Sequence, residues 1–329
     1  MKIGMSRFTF YLEQIKVLSD IATGQKNPAL WLFNHDARTP FFMLEGLAKL
    51  YSGIHNPKRF DKLKEQFKLM EDGLGQVDYY QSLSRSFAHK KQIPKENKLY
   101  IKHRLTQSTE QLDALLIEKG WLSDNHKRIK RISKRLKKAD WLNPREEVKA
   151  FSEFYKSSIR NIYEFVDETQ GHFDNVEEDV HELRRKLRWL SIYPQALQGT
   201  VQYADNSETS AHLNKYLTKE IVNSPFNKLP ESAGNTYSLN LNKNYFLSLS
   251  WMIAELGRYK DEGLLITGLC EAMKEAPGCE DEVALARASE LLGVKQRNIN
   301  DILNDAESIT KTFFEENNLK HLIAGTGKL

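Results

Sequence analysis

Apolar residues recur three and four positions apart over most of the chain, which is the spacing of one face of an α-helix. Only residues 237–241 alternate in the manner of a β-strand. The pattern therefore predicts an all-α protein with neither a parallel sheet nor a dinucleotide-binding unit. The segments with helical spacing are 8–21, 30–51, 60–87, 99–117, 129–142, 146–165, 176–193, 245–276 and 280–317.

Proline, asparagine and glycine mark the interruptions between these segments. Asn143-Pro144 lies near the middle of the chain and predicts a division into a first helical half, 1–143, and a second, 144–329. Within the second half, residues 223–244 are rich in Asn, Ser, Pro and Gly and predict a long loop. The last six residues, 324–329, are predicted to be frayed.

Local signals also predict where two helices begin. Asp174, with Glu177 three residues later, has the spacing of a capping box and would open the helix that starts at 176. Pro40 stands inside the segment 30–51. It either interrupts one helix or, with Thr39 as N-cap, begins a new one.

A short pattern occurs twice in the same order, once in each half. His35-x-x-Arg38 is followed downstream by Leu74-Gly75, and His181-x-x-Arg184 is followed by Leu256-Gly257. Either copy alone is weak, but the shared order favours an internal duplication.

Composition limits the classes of function. The 329 residues carry 48 Lys and Arg against 44 Asp and Glu, a net charge of only +4. A site for a polyanion must therefore come from local clusters of positive charge. Two cysteines, Cys270 and Cys279, are too few for a disulfide scaffold and indicate a reducing compartment. Residues 1–23 lack the apolar core of a signal peptide, and no stretch approaches the roughly 18 apolar residues of a membrane span. We expect a cytoplasmic protein.

The densest run of positive charge lies between residues 126 and 138. A helical projection gives a narrow apolar seam of Ile129, Ile132 and Leu136. Four basic residues border that seam on one side: His126, Lys130, Lys134 and Lys137. A basic amphipathic helix of this kind suits nucleic acid, an anionic membrane surface, an acidic partner or polyphosphate, or it forms only a solubilising outer face. The thin seam argues against membrane insertion.

A second basic stripe follows residues 180–190. His181, Arg184 and Arg188 lie beside an apolar face made by Val180, Leu183, Leu187 and Leu190. Crowded guanidinium groups at such a border favour an anion such as phosphate, to which they form paired hydrogen bonds. The alternative is a solvated face, or ion pairs with nearby glutamates.

Motifs for catalysis are not found. Gly325-Thr326-Gly327-Lys328 lacks the earlier glycine and the following Ser or Thr of a phosphate-binding loop. Neither a His-Glu-x-x-His motif nor a nucleophile elbow occurs, and the cysteines do not have zinc-finger spacing. We therefore expect a protein that is not an enzyme and that holds neither a cofactor nor a metal.

The repeated motifs together resemble the CHAD family, the conserved-histidine α-helical domains. Residues 180–184 read Val-His-Glu-Leu-Arg and match the family pattern closely, whereas residues 34–38, Asn-His-Asp-Ala-Arg, match it in part. The resemblance implies two pseudo-symmetric four-helix bundles that bind inorganic polyphosphate without catalysis, in association with polyphosphate granules. It implies these ligand-facing residues: His35, Arg38, His181, Arg184, Arg185 and Arg188.

The sequence also departs from the family pattern. Residues 39–42, Thr-Pro-Phe-Phe, stand where further arginines are usual, and Val77-Asp78 replaces the expected Arg-Asp. Polyphosphate binding, with the helix from His126 adding to the surface, is the leading hypothesis. A nucleic-acid-binding module is the alternative, although the basic helix has no aromatic residue for stacking on bases. A helical scaffold that has lost polyphosphate binding is the third hypothesis.

Overall fold

A computed structural model describes residues 2–123, 125–204, 210–232, 234–275, 281–293 and 297–329. About 75% of the chain is helical, which confirms the predicted predominantly all-α class. No helix in these ranges combines the length and the apolar character that crossing a lipid bilayer takes. Of the two cysteines, Cys270 is buried, and Cys279 lies outside the described residues.

The helices before the middle of the chain follow the predicted segments, except that the helix predicted at 129–142 covers Lys127–Leu136. Their bounds are α1 Ile3–Thr23, α2 Pro28–Asn34, α3 Arg38–Ser52, α4 Pro57–Ala88, α5 Lys95–Glu118 and α6 Lys127–Leu136. The predicted segment 30–51 is two helices, because α2 ends at Asn34 and α3 begins at Arg38. Pro40 is the third residue of α3, where a missing backbone N–H costs no helical hydrogen bond.

The later part of the chain adds three short strands to its helices. The regular elements are α7 Pro144–Glu168, a π-helical turn Val176–His181, α8 Glu182–Ala196, β1 Val201–Tyr203, α9 Lys219–Asn223, β2 Tyr237–Leu241, α10 Lys243–Glu275, α11 Asp281–Leu292, α12 Ile299–Glu315 and β3 Ile323–Lys328. Short 3₁₀ turns at Ala211–Lys215, Pro225–Asn227 and Asn318–His321 complete the series.

The chain forms two compact units. The first contains Met1–Trp141 and Leu265–Gln296, and the second contains Leu142–Leu264 and Arg297–Leu329. The chain passes from the first unit into the second after Trp141, two residues before the predicted division at 143. Residues 265–296 belong to the first unit, although they lie in the second half of the sequence. The predicted division at 143 did not include this return of the chain. The pseudo-symmetry of two four-helix bundles stays a prediction.

A three-stranded sheet belongs to the second unit. β1 pairs in parallel with β2, and β2 pairs antiparallel with β3, so that Leu239 lies opposite both Val201 and Thr326. The prediction that residues 324–329 are frayed is therefore wrong, since most of them form β3. The alternating piece at 237–241 is strand β2, and it lies within the segment predicted as a loop. α7 packs against β2 and β3.

The predicted capping box at Asp174 is also wrong, because the cap lies one residue later. Asn175 has an extended backbone, and its side-chain oxygen accepts hydrogen bonds from the backbone N–H groups of Glu177 and Glu178. The Asp179 carboxylate accepts in return from the backbone N–H groups of Asp174 and Asn175. The helix therefore starts at Val176 as predicted, with a different residue in the capping role.

The core of the first unit includes an aromatic cluster in which α1, α3 and α4 meet the end of the segment after α6. Phe8, Tyr51 and Phe60 are 0% exposed, and each has its ring centroid within about 6 Å of the Trp141 ring. A Cβ atom added at Gly4 would lie 2.3 Å from the Trp141 ring. This packing holds both ends of residues 1–141 in one core.

Candidate functional site

Helix α6 presents a basic surface because its apolar seam is buried. Ile129 is 6% exposed, and Ile132 and Leu136 are 0% exposed, which confirms the predicted seam. The helix starts where the Ser123 hydroxyl accepts a hydrogen bond from the backbone N–H of Lys127. Six basic side chains of this segment are exposed: Lys127, Lys130, Arg131, Lys134, Lys137 and Lys138.

One groove runs between α1 and α6, and we call it the α1–α6 groove. Its volume is about 440 Å³. The four residues predicted to border the seam all line it, and α1 contributes Glu13 and Lys16: the basic lining is Lys16, His126, Lys130, Lys134 and Lys137. The helical projection therefore placed these four residues, two in α6 and one at each of its ends, on one surface.

The positive charges of the α1–α6 groove are only partly balanced. Lys16 Nζ lies 3.6 Å from the Glu13 carboxylate, and His126 Nε2 lies 3.4 Å from that of Asp20. Among the described residues, no carboxylate forms an ion pair with Lys130, Lys134 or Lys137. Three neighbouring lysines therefore repel one another unless an anion lies between them.

A second groove lies on the other flank of α6, toward α4, and we call it the α4–α6 groove. Its volume is about 310 Å³. Polar and basic side chains from α4, the end of α5 and α6 line it: Lys62, Gln66, Lys119, Arg128 and Arg135. These residues were not among those predicted from the sequence. A signal was present, because Arg128 and Arg135 are seven positions apart and so share one helical stripe.

The first His-x-x-Arg motif lies at the junction of α2 and α3, where Arg38 is engaged by carboxylates of α4. Its Nε and Nη1 groups donate to Glu71 at 2.7 Å and to Asp78 at 2.9 Å. His35 is exposed, and its ring stacks on that of Trp31 with the centroids 3.8 Å apart. Arg38 is thus an internal ion-pair partner in this unit.

The second His-x-x-Arg motif lies in the second unit and is also paired. His181 Nδ1 lies 2.7 Å from the Glu177 carboxylate, and this hydrogen bond lowers the pKa of Glu177. The Arg185 guanidinium lies 2.6 Å from the carboxylate of Glu182, one turn before it. Nearby glutamates therefore pair with His181 and Arg185, as the alternative to an anion site predicted.

Arg184 and Arg188 complete the predicted stripe. Both are half-buried, and Arg184 Nε donates to the backbone carbonyl of Ile253 at 3.2 Å. The predicted apolar face beside them is confirmed, since Val180, Leu183, Leu187 and Leu190 are all 0% exposed.

The arginine of each motif lies against the glycine of the Leu-Gly segment in its own unit. A Cβ atom added at Gly75 would lie 2.9 Å from Arg38 Nη2, and one added at Gly257 would lie 2.8 Å from Arg184 Nε. Only glycine leaves room for a guanidinium this close to the helix backbone. The two copies of the sequence pattern therefore have the same local packing.

A metal-binding cluster is not found in the described ranges. No three His, Cys, Asp or Glu side chains there are placed to hold a metal ion. Comparisons with family models, with curated proteins and with solved structures each find no match for this chain.

Proposed function

We propose that the α1–α6 groove binds inorganic polyphosphate, and that the protein acts by binding rather than by catalysis. The observation that carries this proposal is the set of three exposed lysines, Lys130, Lys134 and Lys137, with no ion-pair partner in the described part of the chain. A linear polyanion supplies the missing negative charge. Lysines that bind it release its counterions, which favours association.

The spacing of the lysines suits a chain-like ligand. They are four and three residues apart, so the successive distances along the helix axis are about 6 Å and about 4.5 Å. A polyanion lying along α6 would meet all three within about 11 Å, roughly one Debye length at 0.1 M salt. Each lysine therefore contributes to the same stretch of ligand.

The groove favours polyphosphate over nucleic acid. Single-stranded nucleic acid binds by stacking its bases on aromatic side chains as well as by charge. The described lining of the α1–α6 groove contains no Phe, Tyr or Trp. A ligand that consists of phosphate groups alone loses nothing by this absence.

We also propose that the chain is a divergent CHAD protein of the cytoplasm, associated with polyphosphate granules. The two arginine–glycine contacts, one in each unit, support this assignment, because they link the His-x-x-Arg and Leu-Gly segments on which the resemblance depends. The carboxylates that engage Arg38 support a shift of ligand binding from the His-x-x-Arg motif to α6.

Charge reversal of two groove lysines tests this function. We expect Lys130→Glu combined with Lys134→Glu to weaken binding of long-chain polyphosphate roughly 100-fold at low salt, because each change removes an attraction and adds a repulsion. Fluorescence anisotropy with end-labelled polyphosphate measures this affinity.

The matched control is Lys149→Glu combined with Lys311→Glu, which changes the net charge equally at exposed positions of α7 and α12. We expect it to weaken binding less than threefold. Equal losses in the two double variants would contradict the site. If single-stranded RNA at the same phosphate concentration displaces all the bound polyphosphate, the result favours the nucleic-acid alternative.

A further inference from the structure

The α4–α6 groove differs from the α1–α6 groove in the kind of cation that it presents. Its α6 residues are Arg128 and Arg135, whereas the other groove has lysines. The two grooves lie on opposite sides of the buried seam, so one ligand group cannot occupy both. A guanidinium binds two oxygens of one phosphate group side by side, and an ammonium acts as a point charge.

Arg128 is held in place by neutral oxygens. Its Nε donates to the backbone carbonyl of Lys119 at 2.6 Å, at the end of α5, and its Nη1 donates to Gln66 Oε1 at 3.0 Å. These two bonds fix the plane of the guanidinium and use two of its five N–H donors. Its charge is not neutralised by them, and its other three donors have no hydrogen-bond partner among the described residues.

Positive charge is crowded around Arg128. Burial, together with the charges of Arg131 and Arg135, lowers the pKa of Arg128. Arg135 is half-buried, and its guanidinium has no hydrogen-bond or ion-pair partner among the described residues. Glu65 is the one carboxylate that lines the groove in the described chain, and it is exposed. An anion bound between the arginines would relieve their repulsion.

The lining also has an apolar part, which consists of Leu69 and Trp121. Leu69 lines the groove and is 39% exposed, although it lies on a helix whose other leucines near it are buried. The groove volume of about 310 Å³ is at the lower end for small-molecule sites. This space accommodates a phosphate group together with a small organic part that covers Leu69.

We propose that the α4–α6 groove is a second anion site, which binds a dianionic phosphate group carried by a small organic molecule. Arg128 and Arg135 bind the phosphate oxygens, and Leu69 contacts the organic part. This site is independent of the polyphosphate site, and either can exist without the other.

Titration calorimetry with phenyl phosphate as the probe tests the proposal, and inorganic phosphate is the comparison ligand. We expect saturable binding of phenyl phosphate, several-fold tighter than that of inorganic phosphate because the ring covers Leu69. Arg135→Gln should weaken it at least tenfold. The Arg135 guanidinium has no hydrogen-bond or ion-pair partner in the described structure. This variant therefore tests the site without removing a polar contact of the fold, whereas Arg128→Gln would remove two.

The reciprocal control is the Lys130→Glu, Lys134→Glu variant, which should bind phenyl phosphate within twofold of the unchanged protein. Arg135→Gln should in turn keep its affinity for polyphosphate within about threefold. The proposal is overturned if phenyl phosphate does not saturate a site, or if Arg135→Gln binds it unchanged. Equal affinities for inorganic phosphate and phenyl phosphate would contradict the proposal that the ligand has an organic part in contact with Leu69. A protein that binds phenyl phosphate in this way but does not bind polyphosphate would contradict the proposed function and support this second site.

Discussion

Replacing Glu45 by glutamine is expected to raise the free energy of unfolding by about 3 kcal/mol at pH 8, and by much less at pH 4.5. Glu45 is only 6% exposed on α3. Burial, and then the negative charge of Glu71, raise its pKa from 4.5 to about 7. The folded state therefore resists ionisation of this carboxyl, and glutamine removes the group that must ionise.

The sign of the pH dependence follows from the two pKa values. Below pH 4.5 the carboxyl is protonated in the folded and the unfolded state, so it contributes no difference. As the pH rises toward 7, the unfolded state loses the proton first, and stability falls. Above pH 7 the folded state carries the buried charge, and the full loss is reached.

Urea unfolding followed by circular dichroism at the two pH values measures this effect. Glu110→Gln, at an exposed position of α5, is the matched control, and we expect it to change stability by less than about 0.5 kcal/mol at both. If Glu45→Gln changed the free energy of unfolding equally at pH 4.5 and pH 8, the folded protein would not raise the pKa of Glu45.

Alanine at Gly199 is expected to destabilise the second unit by more than about 3 kcal/mol. Gly199 follows α8 with a φ of +83°, a conformation that residues with a Cβ rarely adopt. A Cβ atom there would lie 1.9 Å from the backbone carbonyl oxygen of Glu231. Because the obstacle is backbone, the segment before β2 would have to move away from the start of β1.

Gly234→Ala separates the two contributions. Gly234 has a similar φ of +78°, but a Cβ atom there would lie within 4 Å of no atom in the described part of the chain. We expect this variant to lose about 1 kcal/mol, the cost of the backbone conformation alone. Thermal unfolding of both variants gives the comparison. A Gly199→Ala loss no larger than that of Gly234→Ala would mean that the two backbone segments do not approach each other in this way.

Local spacing was enough to predict most of the helical segments, because a helix is made of contacts between residues three and four positions apart. It did not separate α2 from α3 or α11 from α12. The sheet was missed for the opposite reason. β3 has a glycine-rich sequence, Ile-Ala-Gly-Thr-Gly-Lys, and its pairing with β2 joins residues more than 80 positions apart. Such pairing leaves no periodic signal in a short, half-exposed strand.

The same difference between local and distant contacts decides which residues of the candidate site could be predicted. Lys130, Lys134 and Lys137 were predicted to share one side of α6 because a single helix determines their arrangement. The ion pairs of Arg38 with Glu71 and Asp78 join α3 to α4, more than 30 positions later, and could not be predicted from the motif itself. The orientation of the Arg128 guanidinium depends on hydrogen bonds to Lys119 and Gln66, which only the fold brings next to it.

The salt dependence of polyphosphate binding tests the central claim most directly, namely that Lys130, Lys134 and Lys137 bind a polyanion through unneutralised charge. The logarithm of the affinity, plotted against the logarithm of the salt concentration, should fall less steeply when all three lysines are replaced by glutamine. With about 0.7 counterions released per contact, we expect the slope to decrease by about 2. An unchanged slope would contradict the claim, because the three lysines would then not contact the ligand.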